Sequence, residues 1–380
     1  MTPQMEAEQA LLGAILLDPA QLGAVAWLEP QHFYRPAHTA LYQALIDQAA
    51  AGHPGLDPEP TEARARWATD AMTAAAEACP AFTAGYGHTL IAACPVSSHA
   101  AVYGRMVLES WIRRQVHEHA HRLQHASRTG DLNGVLDLTV ALRQAVHELT
   151  ARWGALDKHP RPLPGQWPLE LSDAIRRTTT VDETALLTSA TASPSGLHEI
   201  TRWLRPGDFL DPGRGAVYQA LAALAHRDEP IDVLTVLWEA QRQGAIAAGA
   251  VTADGVRAAT RNGFTGDSRY WGERVLRASV LRQTSASAGV VRLLSRDTSL
   301  AAARLLGCVL PALERAEAVQ ERWRAATGAP LRAGPPPTSS RSERREAART
   351  RIPATFPRVA APPSPAEAAA LPGSPIRSNR

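Results

Sequence analysis

Trp27-Leu28-Glu29-Pro30-Gln31-His32-Phe33-Tyr34-Arg35-Pro36-Ala37-His38-Thr39-Ala40-Leu41-Tyr42-Gln43-Ala44-Leu45 returns 176 positions later as Trp203-Leu204-Arg205-Pro206-Gly207-Asp208-Phe209-Leu210-Asp211-Pro212-Gly213-Arg214-Gly215-Ala216-Val217-Tyr218-Gln219-Ala220-Leu221. Ten of the 19 positions are identical, which marks two copies of one domain. Further on, Gly104 pairs with Gly272, Val107-Leu108 with Val275-Leu276 and Arg114-Gln115 with Arg282-Gln283, at an offset of 168. The loop between the two motifs therefore differs in length between the copies.

Around the repeat the pattern is helical throughout, which predicts an all-α fold. Thr2 followed by Pro3 reads as a cap with proline in the first turn, ahead of Leu11, Leu12, Ile15 and Leu16. Asp18-Pro19 repeats that signal and predicts a second helix through Val25 and Leu28; Asp211-Pro212 does so before Val217, Leu221 and Leu224. Asp232 opens a helix carrying Leu234, Leu237 and Trp238, and Gly244 is placed to end it. Each copy closes on a helical hairpin. The first runs through Trp111, Ile112, Val116 and Leu123, turns at Thr129-Gly130-Asp131 and returns through Val135, Leu138, Leu142, Val146 and Leu149. Apolar spacings of three and four are those of a seam with a second helix pair.

Four segments follow: copy 1 over 1–153, a Pro-rich linker over 154–182, copy 2 over 183–328 and a tail over 329–380. The tail holds 11 prolines, nine arginines and three glutamates, a composition that predicts disorder. Its net charge is 9 − 3 = +6, so the formal +3 of the whole chain leaves 3 − 6 = −3 for the remainder.

Of 40 basic residues only Lys158 is lysine, and neither a preceding glycine nor a following hydroxyl accompanies it. A P-loop NTPase requires a lysine so flanked and a protein kinase a lysine on a strand, and Lys158 meets neither need, so both are excluded. Three scattered cysteines, Cys79, Cys94 and Cys308, form no C-x-x-C and suit a reducing compartment. Met1 to Glu6 holds no basic leader, and the longest early apolar run, Ala10 to Leu17, stops at Asp18 and is too short for a membrane span, so a cytoplasmic, membrane-free protein is expected.

Glu6-Ala7-Glu8-Gln9-Ala10-Leu11-Leu12-Gly13-Ala14-Ile15-Leu16-Leu17-Asp18, then Phe33-Tyr34-Arg35-Pro36-Ala37-His38 with Leu41-Tyr42, resembles the N-terminal domain of the bacterial replicative DNA helicase of the DnaB type. Glu229-Pro230-Ile231-Asp232-Val233-Leu234-Thr235-Val236 of copy 2 resembles that domain's next motif. The resemblance implies a helical head plus hairpin, a collar that pairs through its hairpins, and contacts with helicase and primase. In that family the ATPase motor is a separate C-terminal domain of the RecA type, which the lysine argument leads one not to expect here, and no cofactor is expected. The expectation is a non-catalytic replication assembly module with its two hairpins packed as an intramolecular pseudo-dimer, or else a homo-oligomer. Trp111, Ile112, Leu138, Leu142, Val146 and Leu149 are its candidate interface residues. Copy 2 departs at its first helix, where Gly13-Ala14-Ile15-Leu16 becomes Thr188-Ser189-Ala190-Thr191.

Two other readings compete. His117-Glu118-His119-Ala120-His121 matches H-E-x-x-H, with His117 and His121 on one helical face as zinc ligands of a hydrolase. Against this stand Arg122 beside the second histidine, and Ser285 and Gly289 at the equivalent copy 2 positions. The bland alternative is a polar helix face. In the tail, Arg341, Arg344, Arg345, Arg349 and Arg351 are numerous enough to contact DNA phosphates, although a solvated tail has the same composition. Trp27, Trp203, Phe33 and Phe209 read as core aromatics rather than ligand platforms.

Overall fold

The first helix begins where the sequence places its cap. In a computed structural model of the chain, which describes residues 2–56, 61–154, 173–261 and 266–328, the Thr2 hydroxyl accepts from the Met5 N–H and Pro3 opens α1 (Pro3–Leu17). Copy 1 continues with α2 (Gln21–Ala24), α3 (Pro36–Ala50), α4 (Thr61–Ala78) and α5 (Ala84–Ala92). Its hairpin is α6 (Ala100–Thr129) and α7 (Leu132–Trp153). Copy 2 repeats the plan with α8 (Asp173–Ala192), α9 (Leu197–Ile200), α10 (Pro212–His226), α11 (Val233–Arg242) and α12 (Ala253–Thr260), then the hairpin α13 (Ser268–Arg296) and α14 (Ala302–Thr327). No strand occurs among the described residues.

The predicted caps hold at Asp211, which accepts from the Arg214 N–H at 2.8 Å, and at Asp232, which accepts from the Leu234 and Thr235 N–H groups. The hairpin turn falls at Gly130, φ +78°, with Asp131 capping α7. The helix expected after Asp18-Pro19 is a single turn. Asp18 holds the start of α2 through Ala20 N–H and Gln21 Nε2, and the chain then irons out so that Val25 and Leu28 drop into the core. The first helix of copy 2 starts at Asp173, inside the span read as linker, while residues 155–172 lie outside the described residues. In the hydroxyl-rich stretch of α8 the threonines satisfy themselves within their own helix: Thr188 and Thr191 donate to the Thr184 and Leu187 carbonyls.

Each head is fastened to its hairpin in the same way. The indole of the repeat motif lies across the first hairpin helix at a glycine. A Cβ on Gly104 would stand 2.8 Å from Val25 Cγ1 and 3.5 Å from the Trp27 ring, and one on Gly272 would stand 2.8 Å from Trp203. Only glycine lets these side chains lie this close to the hairpin backbone. Phe33, Trp203 and Phe209 are buried and Trp27 is half-buried, as expected for core aromatics. α6 packs most extensively on α13, and one continuous apolar cluster runs through both copies. Full burial of leucines such as Leu11, Leu12, Leu108 and Leu123 is worth about 1.5–3 kcal/mol each. Among the described residues no helix is long and apolar enough to cross a membrane.

Candidate functional site

Three polar ties recur in the two copies at equivalent positions with altered chemistry, the first inside the head and the other two between head and hairpin. The first is a buried glutamate on the opening helix. Glu8 accepts from the Tyr34 N–H at 2.8 Å, and Glu183 accepts from the Leu210 N–H. Glu8 also lies 2.6 Å from His38 Nδ1, and His38 Nε2 is 2.7 Å from the Tyr86 hydroxyl. In copy 2 the histidine becomes Arg214, whose Nη1 donates to Glu183 at 3.2 Å. Burial pushes the Glu183 carboxyl above the usual carboxylate range, against the pull of the Leu210 N–H and Arg214.

The second tie closes the motif turn. His32 Nδ1 accepts from the Glu29 N–H at 2.9 Å, and Asp208 accepts from the Arg205 N–H at 2.8 Å. An arginine from the return helix meets each. Arg152 Nη1 lies 2.7 Å from His32 Nε2, and Arg322 forms a two-pronged pair with Asp208. Burial first, then Arg152 and Arg114, lowers the His32 pKa to about 3, so the imidazole is uncharged at neutral pH. The third tie comes from the first hairpin helix. Arg114 donates to the His32 carbonyl at 2.7 Å and Arg282 to the Asp208 carbonyl at 2.8 Å. Burial lowers both guanidinium pKa values from the usual.

The seam between the copies is built by α6 and α13 lying antiparallel. Along it Arg113 donates to the Asp297 carbonyl at 2.6 Å, His117 Nδ1 lies 2.9 Å from Ser295 Oγ, Arg292 donates to Gln124, and Arg277 donates to the Gly130 carbonyl at 2.8 Å. A shift of 168 residues exchanges the two sides: His117 maps to Ser285 and Ser295 to Ser127, and those two serines again line one cavity. The seam therefore has a local two-fold and is isologous within one chain. α7 and α14 extend it through Gln320, which donates to Thr139 at 2.9 Å, and through Arg143, which pairs with Glu317.

The geometry gives each copy the same head, the same hairpin and the same seam. The family model described as "DnaB-like helicase N terminal domain" matches residues 1–64 and 178–260, one stretch in each copy. Both stretches belong to that domain family. Replicative DNA helicase DnaB of Leifsonia xyli subsp. xyli (strain CTCB07) is 28% identical over 212 residues, covering 54% of this chain and 42% of that helicase. The helicases of the same name from Geobacillus stearothermophilus and Mycobacterium leprae (strain TN) are each 32% identical, over 119 and 126 residues. Those two alignments cover 30% and 31% of this chain, and 23% and 18% of the relatives. The chain thus spans less than half the length of each of these curated relatives. No solved structure matches it.

Within this DnaB-like pair, the residues singled out in the sequence fall in three places. Ile112, Leu142, Val146 and Leu149 are buried in the shared cluster and Leu138 packs half-buried against it. Trp111, a candidate for the contact between copies, has its ring 4.5 Å from that of His32 with Arg152 stacked over it at 5.2 Å, and it also lines the cavity that reaches Ser295 and Arg296 of the other copy. Its copy 2 equivalent is Ser279, which donates to Asp208 at 2.8 Å. His117 is engaged with Ser295, and Glu118 pairs with Arg122 at 2.8 Å. Among the described residues no three His, Cys, Asp or Glu side chains gather as a metal-binding group. Arg341, Arg344, Arg345, Arg349 and Arg351 lie outside the described residues.

The ties at Glu8, His32, His38, Asp208, Arg152 and Arg322 carry no functional signal in the sequence. Glu8 and His38 sit inside the quoted motifs, and Arg152 and Arg322 are separated by 170 residues near the ends of their helices. That register was the available clue.

Proposed function

We propose that this chain is a non-catalytic assembly module of DNA replication: a helicase-collar pair with both members in one polypeptide, binding a replicative helicase or a primase. The observation that carries this reading is the isologous seam of α6 and α13. Pairing through hairpins is the association that the family resemblance implies between separate chains. Here both partners belong to one chain, and the apolar cluster is continuous across them. The match to the N-terminal domain model alone supports a role in assembly rather than in ATP-driven unwinding.

The test is size-exclusion chromatography of the full chain with a purified replicative helicase and, separately, with a primase from the same cells. A stable complex with at least one of them is expected. Failure to associate with either would overturn the reading, as would ATP-dependent unwinding by the chain alone.

A further inference from the structure

The local two-fold generates two cavities, one at each end of the seam, and they are not equivalent. The first, about 690 Å3, lies where the copy 1 head meets the end of α13 and is lined by Arg113, Arg114, His117, Ser295 and Arg296 on its polar side. Its other wall carries Phe33, Tyr34 and Trp111, with Gln4, Gln31 and Gln115 at the margins. The second, about 590 Å3, has Arg128, Arg274, Arg277 and Arg282 but no aromatic residue. There Asp182 neutralises Arg274 at 2.8 Å.

The first cavity keeps its positive charge. Its one lining carboxylate, Glu118, is tied to Arg122 at 2.8 Å. Arg113 is spent on the Glu109 carboxylate and on the carbonyls that end α13. Arg114 has Glu8 nearby and donates to the His32 carbonyl, yet its buried Nη1 has no hydrogen-bond partner among the described residues. A buried guanidinium N–H without a partner is costly, and an anion in the cavity would satisfy it. Burial, and next the nearby Arg296 and Arg292, push the His117 pKa down, which is the response expected where positive potential is not compensated. Arg296 itself is exposed at the last turn of α13. Beside these cations Tyr34 stands 66% exposed, with the Arg114 guanidinium 5.4 Å from its ring centroid.

An exposed tyrosine face next to arginines, one of them the exposed Arg296, is the pairing that takes a planar base and its phosphate together. We propose that this cavity binds a nucleotide unit, the phosphate between Arg114 and Arg296 and the base stacked on Tyr34. The unit belongs either to a free nucleoside phosphate or to a single-stranded nucleic acid. The site goes beyond partner binding and does not depend on it. The equivalent of Tyr34 in copy 2 is Leu210, so only one end of the seam offers stacking.

The experiment is fluorescence anisotropy of the full chain with a labelled thymidine decanucleotide, with dTMP and inorganic phosphate as competitors. Tyr34→Ala and Arg296→Gln should each weaken binding roughly tenfold, and Tyr34→Phe should keep it. Arg296→Gln should also lower the salt slope by about one phosphate contact. Both positions are exposed, and circular dichroism checks that each variant folds. Competition by dTMP at concentrations matching its share of the oligonucleotide assigns the free nucleotide. Competition by oligonucleotide alone assigns the single strand. Unchanged affinity in Tyr34→Ala overturns the proposal, as does inorganic phosphate competing as well as dTMP, or an unaltered chain that binds neither probe.

Discussion

The two copies solve one mechanical problem with different chemistry. Copy 1 closes its head on the hairpin with an uncharged histidine, an indole and an arginine: His32, Trp111 and Arg152. Copy 2 puts a buried carboxylate in that place, held by Arg322 and the Ser279 hydroxyl. In both the backbone N–H directly after the motif leucine is satisfied, the return helix supplies an arginine, and the first hairpin helix donates to the equivalent carbonyl. What persists is the set of satisfied polar atoms, not the residues that satisfy them. A buried joint tolerates exchange when donor and acceptor change together, and that is how two halves with such different side chains retain one seam.

Breaking the charged joint should have the largest effect. Asp208→Ala strands Arg322 and is expected to destabilise copy 2 by about 3–5 kcal/mol, whereas His32→Ala removes a neutral acceptor and costs about 1–3 kcal/mol. Urea unfolding of the full chain measures both, and equal losses would mean that the charge at Asp208 does not distinguish the copies.

Acid should next separate them. His32 stays uncharged in the fold to about pH 3, while the unfolded chain protonates it near 6.5. The unfolded state binds the extra proton, so this contribution is complete above 6.5 and is lost as pH falls towards 3, with a slope of at most about 1.4 kcal/mol per pH unit. Comparing the unaltered chain with His32→Gln at about pH 7 and about pH 4.5 isolates that slope, which should vanish in the variant.

The glycines test where the copies agree. Gly104→Ala and Gly272→Ala should each cost about 1–3 kcal/mol by forcing head and hairpin apart. Gly272→Ala should be the worse of the two, because the Trp203 indole is more rigid than the Val25 methyl that a Gly104 side chain would meet. A neutral result at either position in thermal unfolding would remove close approach as the reason for glycine. The smallest effect belongs to the seam's exposed edge: Arg143→Ala, which breaks the pair with Glu317, should cost under about 1 kcal/mol.

Much of the architecture was legible because it is written twice. The repeated Trp-Leu-x-Pro motif, the caps at Thr2, Asp211 and Asp232, and the turn at Gly130 each follow from local rules, and local rules need no partner across space. α4 and α5 carried no such signal. Their anchor is Trp67, fully buried and donating to the Ile15 carbonyl at 3.1 Å, a contact between residues 52 apart that periodicity does not encode. The contacts of Trp111 were hidden for a related reason. Its helical face could be read, but its neighbour His32 comes from 79 residues upstream, and only the folded head brings them together. The candidate nucleotide cavity was illegible in the same sense: Tyr34, Arg114 and Arg296 converge from three distant stretches. The −3 charge outside the tail gave no sign of it, since a net charge says nothing of where cations gather on the surface.

The covalent connection between the halves has a kinetic meaning. Residues 155–172 span only 18 positions between Gly154 and Asp173. A pair of separate chains dissociates on dilution below its Kd, but two halves on a tether of this length face each other at an effective concentration of about millimolar at any dilution. A stray hairpin from another chain therefore competes against that standing excess. The pair should resist subunit exchange at concentrations where two-chain pairs of equal contact area would already be mixing.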